Sequence, residues 1–269
     1  MSVPGEARIT NAADGYDLLA PHYDAFTAHP NYPTWIRSLE ELARRHGLSG
    51  RRALDLGCGT GSSLLPLLEL GYDAVGCDIS PGMLEQAARK LPADARLVLA
   101  DVCELPELGS FDLVWSVNDG VNYLPDESSL RRAFMQVADC LEPGGIFLFD
   151  VNTLHTYATF FATTEVRETD TLLMTWVGTG NESPREGETV ETRLEVFELD
   201  PDAGLWRRST SHHRQRHHPP DAIRDALAGA GLRLLAIHGL SEDAAIEDDV
   251  DPRHVKAIFT ATPESSERR

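Results

Sequence analysis

Leu54-Asp55-Leu56-Gly57-Cys58-Gly59-Thr60-Gly61 sets an acid and three alternate glycines at the end of a short apolar run. Glycines in such a turn let the backbone take positive φ and come close to a ligand. Two further acids follow at equal steps, Asp78 and Asp101, each 23 residues after the one before. Each also ends a short apolar run. An acid at the end of a second strand is placed to hold two ribose hydroxyls. An acid after a third strand can accept from an exocyclic amine, with the next N–H, that of Val102, facing a ring nitrogen. Together these describe a site for a nucleoside without a phosphate. The dinucleotide fingerprint G-x-G-x-x-G fails, because its third glycine falls on Ser62 counted from Gly57 and on Leu64 counted from Gly59. A nicotinamide oxidoreductase is therefore disfavoured.

Other residues have the chemistry for proton transfer. Asp119 precedes Gly120 in a loop, and His155 follows an apolar run ending at Val151. His213, Gln215 and His217 alternate, so an extended chain would show them on one face, opposite Arg214 and Arg216. Histidine suits proton transfer near neutral pH. No ligand spacing accompanies His212, His213, His217 and His218, and no two of the four cysteines are spaced C-x-x-C, so no metal site is expected.

The elements that must carry these residues can be read from periodicity. Residues 12–46 read as helical, broken around Pro30 and Pro33, with Trp35, Ile36, Leu39, Leu42 and Ala43 as an apolar stripe. Strands at Ala53–Leu56, Ala74–Cys77, Arg96–Ala100, Phe111–Val117 and Ile146–Val151 alternate with helices at Ser62–Leu70, Pro81–Leu91 and Ser128–Leu141. Such alternation implies right-handed crossovers and a parallel sheet. The pattern then changes. Leu172–Val177, Val190–Leu199 and Leu205–Gln215 alternate with period two between turn signals, as in an antiparallel meander. A helix at Asp221–Ala230 and strands at Arg233–Ile237 and Val255–Thr262 resume the first pattern. The expected fold is α/β: a doubly wound, Rossmann-like, seven-stranded and mostly parallel sheet with its last strand antiparallel. It carries the meander as an insertion and a helical segment in front. The expected organisation is one domain over 1–269: a helical lid at 11–46, a core at 50–152, the meander at 153–218 as a cap, and completion of the sheet at 219–262.

The 269 residues carry 43 acidic against 24 basic side chains, a net charge of −19. That field repels nucleic acids and anionic membranes, so neither is an expected partner. The opening Met1–Glu6 has no basic start and no apolar segment, and so does not read as a secretory signal. Reduced cysteines and the cytoplasm are the expectation. The meander offers free strand edges, which leaves room for self-association.

The motifs together resemble the class I S-adenosylmethionine-dependent methyltransferases. Residues 54–61 look like that family's first motif, Gly76-Cys77-Asp78-Ile79-Ser80 like its ribose motif, and Ala100-Asp101-Val102 like its adenine motif. Phe111-Asp112-Leu113-Val114 is similar to its fourth strand, and Leu141-Glu142-Pro143-Gly144-Gly145 to the turn before its fifth. A narrower likeness reaches the glycine/sarcosine N-methyltransferases and aminosugar N,N-dimethyltransferases. It rests on Tyr16, Tyr23 and Tyr32-Pro33-Thr34-Trp35 in front, on Asn118-Asp119-Gly120 with Tyr123-Leu124-Pro125-Asp126, and on Phe149-Asp150-Val151-Asn152. The resemblance implies S-adenosylmethionine as cofactor and a small polar molecule as acceptor, methylated on nitrogen or oxygen. It implies Tyr16, Tyr23, Trp35, Asp55, Gly57, Gly59, Gly61, Asp78, Ile79, Met83, Asp101, Val102, Asn118 and Tyr123 around the cofactor. Asp119, His155, His213 and His217 are the candidates for work on the acceptor. A protein that binds this cofactor for chemistry other than methyl transfer is the alternative.

Overall fold

The computed structural model describes residues 12–27 and 32–264. Three helices come first: α1 (Ala12–Leu19), α2 (Tyr23–Thr27) and α3 (Tyr32–Arg45). Residue 11, the opening of the expected lid, and the break at Pro30 lie outside the described residues. Pro33 does not break a helix but sits in the first turn of α3, where its missing N–H costs nothing. The alternating series follows as β1 (Arg52–Leu56), α4 (Leu64–Glu69), β2 (Asp73–Asp78), α5 (Pro81–Lys90), β3 (Arg96–Leu99), β4 (Phe111–Ser116), α6 (Glu127–Cys140) and β5 (Leu141–Asn152). Side-chain caps start two of the helices. Ser80 accepts from the Met83 N–H at α5, and Asp126 accepts from the Ser129 N–H at α6. β5 begins five residues before the expected Ile146, because Leu141 already pairs with Phe111 ahead of a register shift.

After the short α7 (Leu154–Ala158) come β6 (Thr164–Glu168), β7 (Leu172–Gly178), β8 (Thr189–Asp200) and β9 (Leu205–Arg216). These four form one antiparallel sheet in sequence order. The three expected meander strands are all present. β6 was not legible because Thr-Glu-Val-Arg-Glu is an exposed edge with one apolar residue. The chain then returns through α8 (Pro220–Gly229), β10 (Leu232–Leu240), β11 (Ile246–Glu247) and β12 (Lys256–Pro263).

The main sheet runs β11-β10-β12-β5-β4-β1-β2-β3. Strands β1 to β5 pair in parallel, and β12 lies antiparallel between β5 and β10. The expected count of seven is corrected to eight among the described residues, because the two-residue β11 adds an edge to β10. Alternation along the central strands divides the core into two layers. Leu54, Val75, Phe147, Phe149 and Phe259 face α6 and α8, while Ala53, Ala74, Trp115, Leu148 and Ile258 face α3, α4 and α5. The second sheet meets the carboxyl ends of the first. Asn152 at the end of β5 donates to Gln215 of β9 at 2.8 Å, and Asn122 after β4 donates to the Arg216 carbonyl at 2.9 Å. A third apolar cluster, with Leu19, Tyr157, Phe161, Met174 and Trp176, fills the space beneath it.

Candidate active site

Two cavities lie at the carboxyl ends of the parallel strands. The larger has a volume of about 690 Å³, within the roughly 300–1,000 Å³ of small-molecule and cofactor sites. Gly57 and Gly59, both with positive φ, line it. A Cβ at either would meet nothing within 4 Å, so the turn presents bare backbone to open space. Asp78 ties this turn to the next element: its Oδ2 accepts the Gly59 N–H at 2.8 Å and its Oδ1 the Ser80 N–H at 2.9 Å. Burial pushes the Asp78 carboxyl up and those backbone donors pull it back. Asp101 accepts the Cys103 N–H at 2.8 Å, which turns the chain after β3 and leaves Val102 on the cavity wall. Ile79, Met83, Asn118, Tyr123, Tyr16 and Tyr23 complete the predicted lining. These residues fit a nucleoside: bare backbone at one end, a doubly anchored acid in the middle, and an acid with apolar neighbours beyond.

Three residues expected at the cofactor are not in that lining. Asp55 is wholly buried below the turn, where the pleat directs it toward α4, and the Ser63 hydroxyl donates to it at 2.6 Å. Burial pushes its carboxyl up to about 7 against the pull of Ser63. Gly61 packs on the core; a Cβ there would come within 2.9 Å of Leu91. Trp35 belongs to the core layer under α3, because the apolar stripe that makes the helix also turns Trp35 inward. Tyr32 and Pro33, one turn earlier, face the cavity instead.

The front helices are pinned across this cavity by side chains that periodicity did not single out. Lys90 forms an ion pair with Asp24 at 2.6 Å and donates to Thr60 and Ser62, each at 2.9 Å. Asp17 accepts from the Ser80 hydroxyl at 2.5 Å and the Gly82 N–H at 2.8 Å.

The smaller cavity, about 220 Å³, shares Tyr16, Tyr23, Asn118 and Tyr123 with the larger. Its walls are aromatic: Trp176 stacks on Phe26 with ring centroids 5.5 Å apart and on His213 at 5.8 Å. Its floor is polar. Asp119 accepts from Gln215 and pairs with Lys256 at 2.9 Å. His213 lines this cavity, between Ser211 (3.1 Å) and the Tyr123 hydroxyl (3.4 Å). Burial, and then His212, lowers its pKa to about 4, so it is neutral at pH 7.

The structure does not bring the other two histidines to either cavity. His155 turns outward on α7 toward Glu242, 3.8 Å away, and its neighbour Thr156 faces the cavity. His217 follows the end of β9 and packs against the Tyr157 ring, accepting the Gly187 N–H at 3.4 Å. His212 pairs with Glu191 and His218 with the Leu124 carbonyl, each at 3.0 Å, so the four histidines do not converge. Lys256 was missed altogether. It is a lone lysine at the start of the last strand, 137 residues from Asp119, and no local signal joins them.

Residues 53–145 match the methyltransferase domain family. A protein of Geobacillus sp. (strain WCH70) named as a methyltransferase is 30% identical over 229 residues, covering 82% of this chain and 90% of that relative. The chain belongs to the methyltransferases. The dTDP-3-amino-3,4,6-trideoxy-alpha-D-glucopyranose N,N-dimethyltransferase of Streptomyces venezuelae is 27% identical over 228 residues, 84% of this chain and 92% of the relative. Among solved structures, an S-adenosylmethionine-dependent methyltransferase of Clostridium acetobutylicum shares the fold with a TM-score of 0.76 at 23% identity, covering 93% of this chain and 99% of that one. Among the described residues, no helix is long and apolar enough to cross a membrane.

Proposed function

We propose that the protein moves a methyl group from S-adenosylmethionine to a nitrogen of a polar small molecule seated in the smaller cavity. One observation carries this reading: the two cavities share the wall of Tyr16, Tyr23, Asn118 and Tyr123, with the nucleoside-fitting acids on one side and Asp119 on the other. Bound at the larger cavity, the cofactor supplies a methyl already activated by a sulfonium. Gly57, Gly59, Asp78 and Asp101 would hold it, with Ile79, Met83 and Val102 beside the nucleoside. The chain's further work is to align the acceptor and exclude water.

In this reading the front helices form the lid, and the whole chain acts as one methyltransferase unit. Tyr16, Tyr23 and Tyr123 offer aromatic faces, which suit a cation. Burial pushes the hydroxyls of all three up, so they stay neutral donors. An acceptor nitrogen that gains positive charge in the smaller cavity would lie beside the Asp119 carboxylate, and a fixed negative group there would favour that change. Asp119 is also the group placed to take the proton that an ammonium acceptor must lose. The aminosugar specificity of the Streptomyces venezuelae relative supports nitrogen over oxygen.

A panel of primary amines, secondary amines and alcohols incubated with methyl-labelled S-adenosylmethionine tests this. Label is expected on amines. Label on hydroxyls alone overturns the choice of nitrogen, and micromolar NAD binding without S-adenosylhomocysteine binding overturns the whole reading.

A further inference from the structure

Three elements that are distant in sequence meet on one lysine at the floor of the smaller cavity. Lys256 Nζ lies 2.6 Å from Asp150 Oδ2 on β5 and 2.9 Å from Asp119 Oδ1 after β4. Asp150 is wholly buried, and its carboxylate accepts the backbone N–H of Asn118 at 2.5 Å and of Asp119 at 3.0 Å. Those two residues have φ of 67° and 61°, the left-handed region that side chains other than glycine occupy only when their surroundings insist. Gln215 of β9 holds the other oxygen of Asp119 and is itself held by Asn152. The turn that hangs Asn118 and Asp119 on the shared wall is therefore set by Asp150 and its counter-charge.

The charges sum simply. Asp119 and Asp150 face Lys256 from two elements, burial pushing the Asp150 carboxyl up against the pull of Lys256; Gln215 is neutral, and the nearby Tyr16, Tyr23, Tyr123 and His213 are uncharged at pH 7. Burial alone would lower the Lys256 ammonium, but the two carboxylates outweigh it and hold it above the ordinary lysine range. With its charge shared by two acids, the lysine is not offered to a ligand carboxylate.

We propose that Lys256 is a positioning residue of the acceptor site. It locks the Asn118–Asp119 turn and leaves the pocket floor with two acids set against one cation, an excess of acid. That excess selects an amine and turns away an amine with a carboxylate beside its nitrogen. The selection rests on the N-methylation reading above; the locking does not.

The test begins on the wild-type protein, with carboxyl and amine titrations followed by NMR on labelled aspartate and lysine. Lys256 is expected to stay protonated at pH 9. A Lys256 amine that deprotonates below pH 9 overturns the proposal, whatever the acceptor. Lys256→Met leaves the buried Asp150 and its neighbour Asp119 without their counter-charge, so a carboxyl should titrate at higher pH than in the wild type, and Lys256→Met/Asp150→Asn should abolish that shift. With an acceptor from the amine panel, Lys256→Met should lower kcat/KM at least about thirtyfold at pH 7, with part of the loss regained as pH rises. A pH-independent loss, or carboxyls in Lys256→Met that titrate as in the wild type, would show a merely structural lysine. Tyramine and tyrosine form a matched pair, and tyramine should be preferred by at least about tenfold. Equal use of both, with the titrations as expected, overturns the selection alone. Transfer to alcohols alone overturns N-methylation and leaves the lock standing.

Discussion

Gly59 and Asp78 are joined by a 2.8 Å hydrogen bond from the backbone N–H of the first to the carboxylate of the second. The glycine turn and the acid at the end of β2 are thus one unit. Anything that removes the acid also frees the turn.

Asp78→Ala should therefore lose the contacts proposed for it with the cofactor and loosen the backbone around Gly59. The expected loss is roughly 2–4 kcal/mol of S-adenosylhomocysteine binding, or about 30- to 1,000-fold in Kd. Calorimetry measures it directly. A Kd unchanged within threefold would remove Asp78 from the site.

Asp119→Asn keeps the side-chain shape but removes the charge at the acceptor side. Turnover should fall about 10- to 100-fold while S-adenosylhomocysteine affinity stays nearly constant. The reverse pattern would assign Asp119 to the cofactor.

Trp35→Ala should cost about 3–5 kcal/mol of stability, as for other buried large-to-small changes. The side chain packs in the layer under α3. Denaturant unfolding would register the loss, and the folded fraction should bind S-adenosylhomocysteine with wild-type affinity.

His213 has a pKa of about 4 in the folded protein, lowered chiefly by burial, against an ordinary value of 6.5. Between those values the unfolded chain binds more protons, so His213 costs stability as pH falls through 6.5. His213→Gln removes that dependence. From pH 7 to pH 5 the stability difference should shift toward the variant by about 2 kcal/mol. A difference that stays flat over this window would place His213 in water. The comparison of variants is needed because Asp55, raised to about 7, acts in the opposite direction.

The sequence by itself determined much of the lining of the larger cavity. Gly57, Gly59, Asp78 and Asp101 are local signals: each sits at a strand end, and the strand ends of a parallel sheet converge on one edge. Alternation of strands and helices specified that sheet, and period-two alternation specified β7, β8 and β9. Local signals also misled where one residue type serves two ends. Trp35 fits both a core and a lid, and only packing decided for the core. His155 and His217 have the right chemistry, but a helix turn and the end of a strand carry them out of the cavity lining.

The floor of the smaller cavity was decided by tertiary structure. Lys256, Asp150 and Asp119 come from β12, β5 and the loop after β4, and β12 reaches them only because it inserts antiparallel beside β5. No periodicity within any one segment encodes that meeting. The pairing of a partly buried positive charge with two negative ones is a property of the assembled sheet, where low exposure makes each charge depend on the others.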